Sequence, residues 1–292
     1  MCCIDCGEII VQIEGGMQMT KQQILQELPQ ISFWLRKMGY ESPALIGQGG
    51  FSGVFRVRKI STGQFCACKI SREQEMLERE GRLMCQISHP LFPVFYDFRQ
   101  EEGIGFLFME WIPGGNLGDL LALRGRMSER QITRTVRKLA EGLCYLHERS
   151  IPVLFRDLKP ENIIIREDGE IKLLDLGSAC QLDTSADART GTYGYAAPEQ
   201  WGELQRVGFH SDVYALGQVM KRMMGSGEAG REYRAIRELV ADCTREDIAE
   251  RIPNMRVLLY RLKTCEEKNR KGIRLFGGKQ NTYIFQKNIL KF

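Results

Sequence analysis

Asp157, Lys159 and Asn162 share the run FRDLKPEN (155–162), and a second acid, Asp175, stands in LLDLG (173–177). These residue types suit one kind of chemistry. A carboxylate can accept a hydroxyl proton, and a lysine can offset charge on a phosphoryl group in transit. An amide oxygen with a second carboxylate can hold Mg2+. Lys69, in CACKI, adds a further cation. Strand alternation puts Ala67 and Lys69 on one face and Cys66 and Cys68 on the other. A lysine in so apolar a strand needs an anion, either a phosphate or the carboxylate of Glu80 downstream. GQGGFSGVF (47–55) brings Gly47, Gly49, Gly50 and Gly53 together. Glycine backbones can approach a ligand closely and aim N–H groups at phosphate oxygens. The same cluster also suits a plain flexible hairpin.

Such residues need rigid supports, and the sequence supplies two kinds. From residue 44 the pattern alternates: ALIGQGGFSGVFRVRK reads as two strands, and GQFCACKIS, PVFYDFRQ and GIGFLFMEWI as three more. REQEMLEREGRLMCQI between them has helical spacing and stops at His89-Pro90. Pro113-Gly114-Gly115 breaks the chain, and helical patterns follow at 116–124, 128–148, 212–224 and 231–243. IIIREDGEIKLL (163–174) has a hairpin signature with Asp168-Gly169 at its turn, which brings Asn162 and Asp175 to one end of a ribbon. Near the start, Thr20 and Gln23 have capping-box spacing, so a short helix is expected near 20–28.

Composition narrows the class. The chain has 292 residues, 43% hydrophobic and 27% charged, which fits a soluble globular protein of one large domain or two lobes. It has no apolar run of membrane-spanning length and no secretion signal. Ten scattered cysteines fit free thiols in the cytoplasm. Cys3-Ile-Asp-Cys6 has no second ligand pair for a structural zinc site. The net charge is +4. Residues 266–292 carry seven Lys/Arg against two Glu, a net +5, so the other 265 sum to −1. Nucleic-acid binding by the whole protein is therefore not expected.

Taken in order, the motifs resemble those of a eukaryotic-type (Hanks-type) serine/threonine protein kinase over residues 41–263. GQGGFSGVF resembles the Gly-rich loop and CACK the strand-three lysine motif. Glu80 falls at the helix-C glutamate. FME (108–110) resembles the gatekeeper and hinge, with Met109 as gatekeeper. FRDLKPEN resembles the catalytic loop, DLG the metal motif, GTYGYAAPE (191–199) the end of the activation segment, and SDVYALG (211–217) the start of helix F, with Asp212 its buried acid. Arg251 is the candidate partner of Glu199. The resemblance implies an α+β bilobal fold: a small antiparallel N-lobe sheet with helix C (about 41–110) and a mainly helical C-lobe (about 113–263). Residues 1–40 would be an extension and 264–292 a basic, aromatic tail.

Roles follow from the same resemblance. Asp157 would accept or orient the substrate hydroxyl proton, and Lys159 would contact the γ-phosphate of ATP. Thr192 would link the two, and Asn162 and Asp175 would ligate Mg2+. Lys69 would bridge the α/β-phosphates and Glu80. Gly47, Gly49, Gly50 and Ser52 would form the phosphate loop. Val54, Ala67 and Ile164 would sandwich adenine, with the backbone of Glu110 and Ile112 at its edge. Lys159 and the GT pair at 191–192 match serine/threonine enzymes. Protein substrates, and autophosphorylation among them, are implied.

The chain departs from the family at four places. Ser52 replaces the third loop glycine, Leu176 replaces the usual phenylalanine of the metal motif, and Phe155 stands where histidine is usual. Only 38 residues separate Asp212 from Arg251, and GSGEAGREY (225–233) replaces a longer loop and helix. Phe155 is read as a packing residue in a stack with Phe95, Met84 and Leu176. A nucleotide-binding pseudokinase scaffold is the rival reading, but Lys69, Asp157, Asn162 and Asp175 are all present.

Arg156 could pair with a phosphate at Thr184, Ser185 or Thr190. The tail could dock on the body, bind a partner or touch an acidic membrane. Glu14-Gly15-Gly16 precedes Met17 and Met19, so in a bacterial source translation would begin at one of those methionines and residues 1–16 would not be made.

The packing reading of Phe155 makes a prediction. Phe155→His should leave ATP turnover within about tenfold, roughly 1.4 kcal/mol on the barrier, whereas Asp157→Ala should nearly abolish it. A hundredfold gain on Phe155→His would restore the scaffold reading.

Overall fold

The computed structural model describes residues 21–48, 52–182, 190–202, 206–225 and 233–276, with side chains between 27 and 265 of those ranges. Gly49, Gly50, Thr184, Ser185, most of 225–233, residues 1–16 and the tail beyond 276 lie outside the described residues. The chain divides into two compact units. One runs through Arg82 and adds Phe95–Trp111, and the other comprises Leu83–Val94 and the chain from Ile112.

The first unit, among the described residues, holds α1 (Lys21–Lys37), β1 (Tyr40–Gln48), β2 (Ser52–Lys59), β3 (Phe65–Ser71), most of α2 (Gln74–Cys85), β4 (Phe95–Glu101) and β5 (Ile104–Glu110). The strands form one antiparallel sheet in the order β1-β2-β3-β5-β4. Lys69 is therefore on the central strand and not on an edge. Its register partners are Val54 and Leu107, and Ala67 pairs with Arg56 and Met109, so all six share one face. Phe55, Cys68 and Phe108 pair on the opposite face and are fully buried.

That second face is covered by α1. Ile31, Trp34 and Leu35 pack into one cluster with Tyr40, Phe55, Val57, Cys66, Cys68, Ile70, Ile104, Phe106 and Phe108. Tyr40 stacks on Phe108 with ring centroids 4.3 Å apart. Burial pushes the Cys66 thiol up to about 11 and Cys68 well above its ordinary value, so both stay protonated and act as apolar filler.

One expectation needs correction here. The helix expected near 20–28 runs on to Lys37, through Pro29. Proline removes one backbone bond and costs about 3 kcal/mol inside a helix. Burying each large apolar side chain contributes roughly 1.5–3 kcal/mol. Ile31, Trp34 and Leu35, all 6% exposed or less, outweigh the proline. The same packing puts Ile31, Trp34 and Leu35 of α1 into the sheet's core.

The second unit, among the described residues, contains β6 (Gly115–Asn116), α3 (Leu117–Arg124), α4 (Glu129–His147), β7 (Val153–Leu154), β8 (Ile163–Ile165), β9 (Ile171–Leu173), β10 (Cys180–Gln181), α5 (Phe209–Met224), α6 (Arg234–Cys243) and α7 (Met255–Phe276). Ser128 and Gln131 close a capping box on α4, and Ile132, Val136, Leu139, Leu143 and Leu146 form its buried stripe. α4 packs on α5 and α7, and α5 on α6. Gly142 of α4 lies so close to Leu91 that a Cβ there would sit 2.2 Å from Leu91 Cδ2. The Leu91 carbonyl accepts the Leu173 amide at 2.7 Å, which ties that segment to β9. The chain expected to become a tail at 264 continues as helix to Phe276.

Trp34→Ala should lower stability by roughly 3–5 kcal/mol, because it opens a large cavity between α1 and the sheet. Urea unfolding measures this, and a loss below about 1 kcal/mol would contradict an integral α1.

Candidate active site

In the first unit, Lys69 Nζ lies 2.7 Å from Glu80 Oε2, with both side chains nearly buried. The approach of α2 is set by its next residue. A Cβ at Gly81 would stand 3.2 Å from Leu107 Cδ1, so glycine lets the helix press on the face that carries Lys69. Removing one member of such a pair strands the other's charge, at about 3–5 kcal/mol. Val54, Ala67 and Met109 share that face. Gly47 pairs with Val54 at the end of β1, and Ser52 opens β2. Glu110 ends β5.

In the second unit, one hydroxyl ties two charged groups together. Thr192 Oγ1 donates to Asp157 Oδ1 at 2.7 Å and accepts from Lys159 Nζ at 2.8 Å. Lys159 also stands 2.9 Å from Asp157 Oδ2. Asp157 and Thr192 are 35 residues apart, and the loop GTYGYAAPE folds back to make the contact.

The hairpin does what its sequence suggested. Ile163–Ile165 pair with Ile171–Leu173, Gly169 takes φ 78° in the turn, and the Leu174 amide bonds the Asn162 carbonyl at 2.8 Å. Asn162 and Asp175 thus flank one end of the ribbon. Asn162 Nδ2 donates to the Asp157 carbonyl at 3.0 Å. That fixes the amide so that its Oδ1 is directed away and is available to a cation. Asp175 has φ 67°, and its Oδ1 accepts the Gly177 amide at 3.2 Å. These are hard oxygen donors, and Mg2+ needs only one or two such side chains when phosphate oxygens complete its shell. The residues fit the ion. Ile164 on β8 and Ile112 are buried in this unit.

The loop's conformation depends on Asp212, which is 0% exposed at the start of α5. Its carboxylate accepts the Phe155 amide at 2.9 Å, the Arg156 amide at 2.8 Å and His147 Nε2 at 2.8 Å. The acceptor role requires the proton on Nε2 of His147, whose ring stacks on Phe209. Arg156 sits at φ 65°, a left-handed conformation costing about 1–3 kcal/mol for a residue with a side chain. Arg156 Nε donates to the Ser178 carbonyl at 2.7 Å, and Gln200 Nε2 bonds the carbonyls of Arg156 (2.8 Å) and Thr190 (3.0 Å). Phe155 is fully buried.

Glu199 anchors the same segment from below. Arg251 reaches it with two bonds, 2.7 and 3.2 Å, and Ser211 Oγ adds a third at 2.7 Å. The partnership with Arg251 was legible from the motif. His147, Gln200 and Ser211 were not singled out. Their partners lie far along the chain, and only the position of Gln200 directly after Pro198-Glu199 hinted at a shared role.

One family model and three relatives bear on this arrangement. The sequence model of the family described as protein kinase domain matches residues 40–260. CBL-interacting serine/threonine-protein kinase 20 of Arabidopsis thaliana is 30% identical over 62% of this chain and 44% of its own length. Serine/threonine-protein kinase RUNKEL, also of Arabidopsis thaliana, is 35% identical over 60% of this chain and 13% of its own. A Drosophila melanogaster relative, serine/threonine-protein kinase CG17528, is 32% identical over 62% and 25%. The chain spans less than half the length of these curated relatives.

The Glu199 cluster predicts a pH dependence. Burial alone would raise this carboxyl, but bonds from Arg251 and Ser211 hold it below its ordinary 4.5. A depressed folded value means the stabilisation is complete above about 4.5 and fades as pH falls through the folded value. Glu199→Gln should therefore be less stable than the wild type at neutral pH, by about 3–5 kcal/mol for a stranded Arg251. The gap should narrow below pH 4.5 in urea titrations. A pH-independent gap would contradict the ionised pair.

Proposed function

The chain belongs to the protein kinase domain family, and on that premise we propose that it transfers the γ-phosphoryl group of ATP, with Mg2+, to serine and threonine hydroxyls of protein substrates, its own included. The observation that carries the reading is the triangle of Asp157, Thr192 and Lys159, closed by contacts of 2.7, 2.8 and 2.9 Å. In this reading Asp157 orients the acceptor hydroxyl and takes its proton. Lys159 stands beside it as a counter-charge for the γ-phosphate. Thr192 sets the spacing of the two, so a change in the GT pair would act on both.

Lys69, braced by Glu80, contacts the α/β-phosphates, and Gly47, Gly49, Gly50 and Ser52 contribute loop backbone. Val54, Ala67 and Ile164 contact adenine, Met109 is the gatekeeper, and the backbone of Glu110 and Ile112 bonds the ring edge. Asn162 and Asp175 would hold Mg2+, which would offset charge on the phosphate oxygens. The domain we assign to this activity runs over about residues 41–263, with α1 packed on its sheet. Among the described residues no helix is long and apolar enough to cross a membrane, and we propose the cytoplasm as the compartment.

Phosphate incorporation into a generic serine/threonine-containing protein tests the reading. Asp157→Ala should fall by about a hundredfold or more, and Lys69→Ala likewise. Equal signal from the wild type and Asp157→Ala would overturn it.

A further inference from the structure

The near-neutral charge of the body hides a local excess. Residues 124–138 hold six Arg/Lys against one Glu. Arg124 ends α3, Arg126 lies in the following loop and Arg130 in the first turn of α4, all three exposed. Among the described residues none of the three has a carboxylate partner. Arg126 and Arg130 flank the positive end of the α4 dipole, so helix stability does not account for their charge.

This cluster connects to the candidate active site by a short path. The Tyr195 amide bonds the carbonyl of Thr192, the residue that bridges Asp157 and Lys159, at 3.0 Å. Arg222, exposed in the last turn of α5, stands close enough to the Tyr195 hydroxyl for its charge to work against the upward push of burial there. The next carbonyl, that of Met223, accepts the Met127 amide at 2.9 Å, and a Cβ on Gly225 would lie 3.2 Å from Arg126 Cβ. Arg222 and Arg126 thus form one basic rim beside GTYGYAAPE, and Arg124 and Arg130 extend it. Two acids stand nearby among the described residues: Glu129, directly before Arg130 in the first turn of α4, and Glu161. Glu161 faces the first turn of α3, where its Oε1 would be 2.9 Å from a Cβ on Gly118, and its charge, after burial, helps to push the Tyr195 hydroxyl up.

We propose that this rim selects acidic substrate segments: carboxylates flanking the acceptor serine or threonine are received by Arg222 and Arg126. The proposal rests on the protein-phosphorylation reading and names the substrate class for that site. Guanidinium groups suit it, because their planar fork binds carboxylates with two parallel bonds, and both sit at the surface where an extended peptide can reach them. Long-range attraction by the four arginines adds to the encounter rate and weakens as salt rises.

The test uses the full chain and three matched serine peptides, flanked on both sides by Glu, Gln or Lys. The expected order of kcat/KM is Glu, then Gln, then Lys, with a Glu-to-Lys ratio of about tenfold or more at low salt that shrinks as salt is added. Arg222→Glu should lower that ratio at least about tenfold, a change of ~1.4 kcal/mol. Arg126→Glu, on a different element, should move it in the same direction. A wild-type ratio at or below one overturns the proposal and leaves the phosphorylation reading standing, as does a ratio that neither variant changes. If the wild type phosphorylates none of the three peptides above the level of Asp157→Asn, the phosphorylation reading falls and takes the proposal with it.

Discussion

A single buried carboxylate fixes the loop on which the site is built. Asp212 has no exposed surface, so its charge must be met entirely by donors. Two are the consecutive amides of Phe155 and Arg156, and the third is His147. Those bonds hold Arg156 in a left-handed conformation it would not choose alone. The turn this creates buries Phe155 on one side and leaves Asp157 on the other, within reach of Thr192 and Lys159. The amide bond from Asn162 to the Asp157 carbonyl follows from the same turn. Phe155 has no polar side chain to share the task, so the backbone amides depend on Asp212 alone for a partner at this point.

Other contacts close the frame around that turn. Gln200 takes the carbonyls on the outer side of Arg156 and Thr190, and Glu199 fastens the same segment to Arg251. In the first unit the logic is different. There the central strand β3 carries Lys69 toward α2 on one face and packs Cys66 and Cys68 under α1 on the other. A displacement of α1 would be felt by the strand that positions the lysine.

Much of this was legible because it is local. Strand alternation placed Lys69 and Ala67 opposite the two cysteines, and the Asp-Gly turn brought Asn162 and Asp175 to one end of a hairpin. What failed was what depends on distant chain. The helix expected near 20–28 was read short because nothing nearby reveals the sheet face that rewards Ile31, Trp34 and Leu35 for staying helical. His147 meets Asp212 across 65 residues, and no periodicity marks it as a partner rather than a core histidine. The arginines from 124 to 130 disappeared into a whole-chain charge balance, though Arg126 lies against Gly225, three residues past Arg222.

If Asp212 is what fixes the loop, the amides it holds should be the first to open without it. Amide hydrogen exchange of the segment 153–157 in Asp212→Asn, compared with the wild type, measures this directly. The expected result is a loss of protection of about tenfold or more at Phe155 and Arg156, with α4 and the sheet of the first unit unchanged. Unchanged protection at those two amides in a folded Asp212→Asn protein would contradict the account.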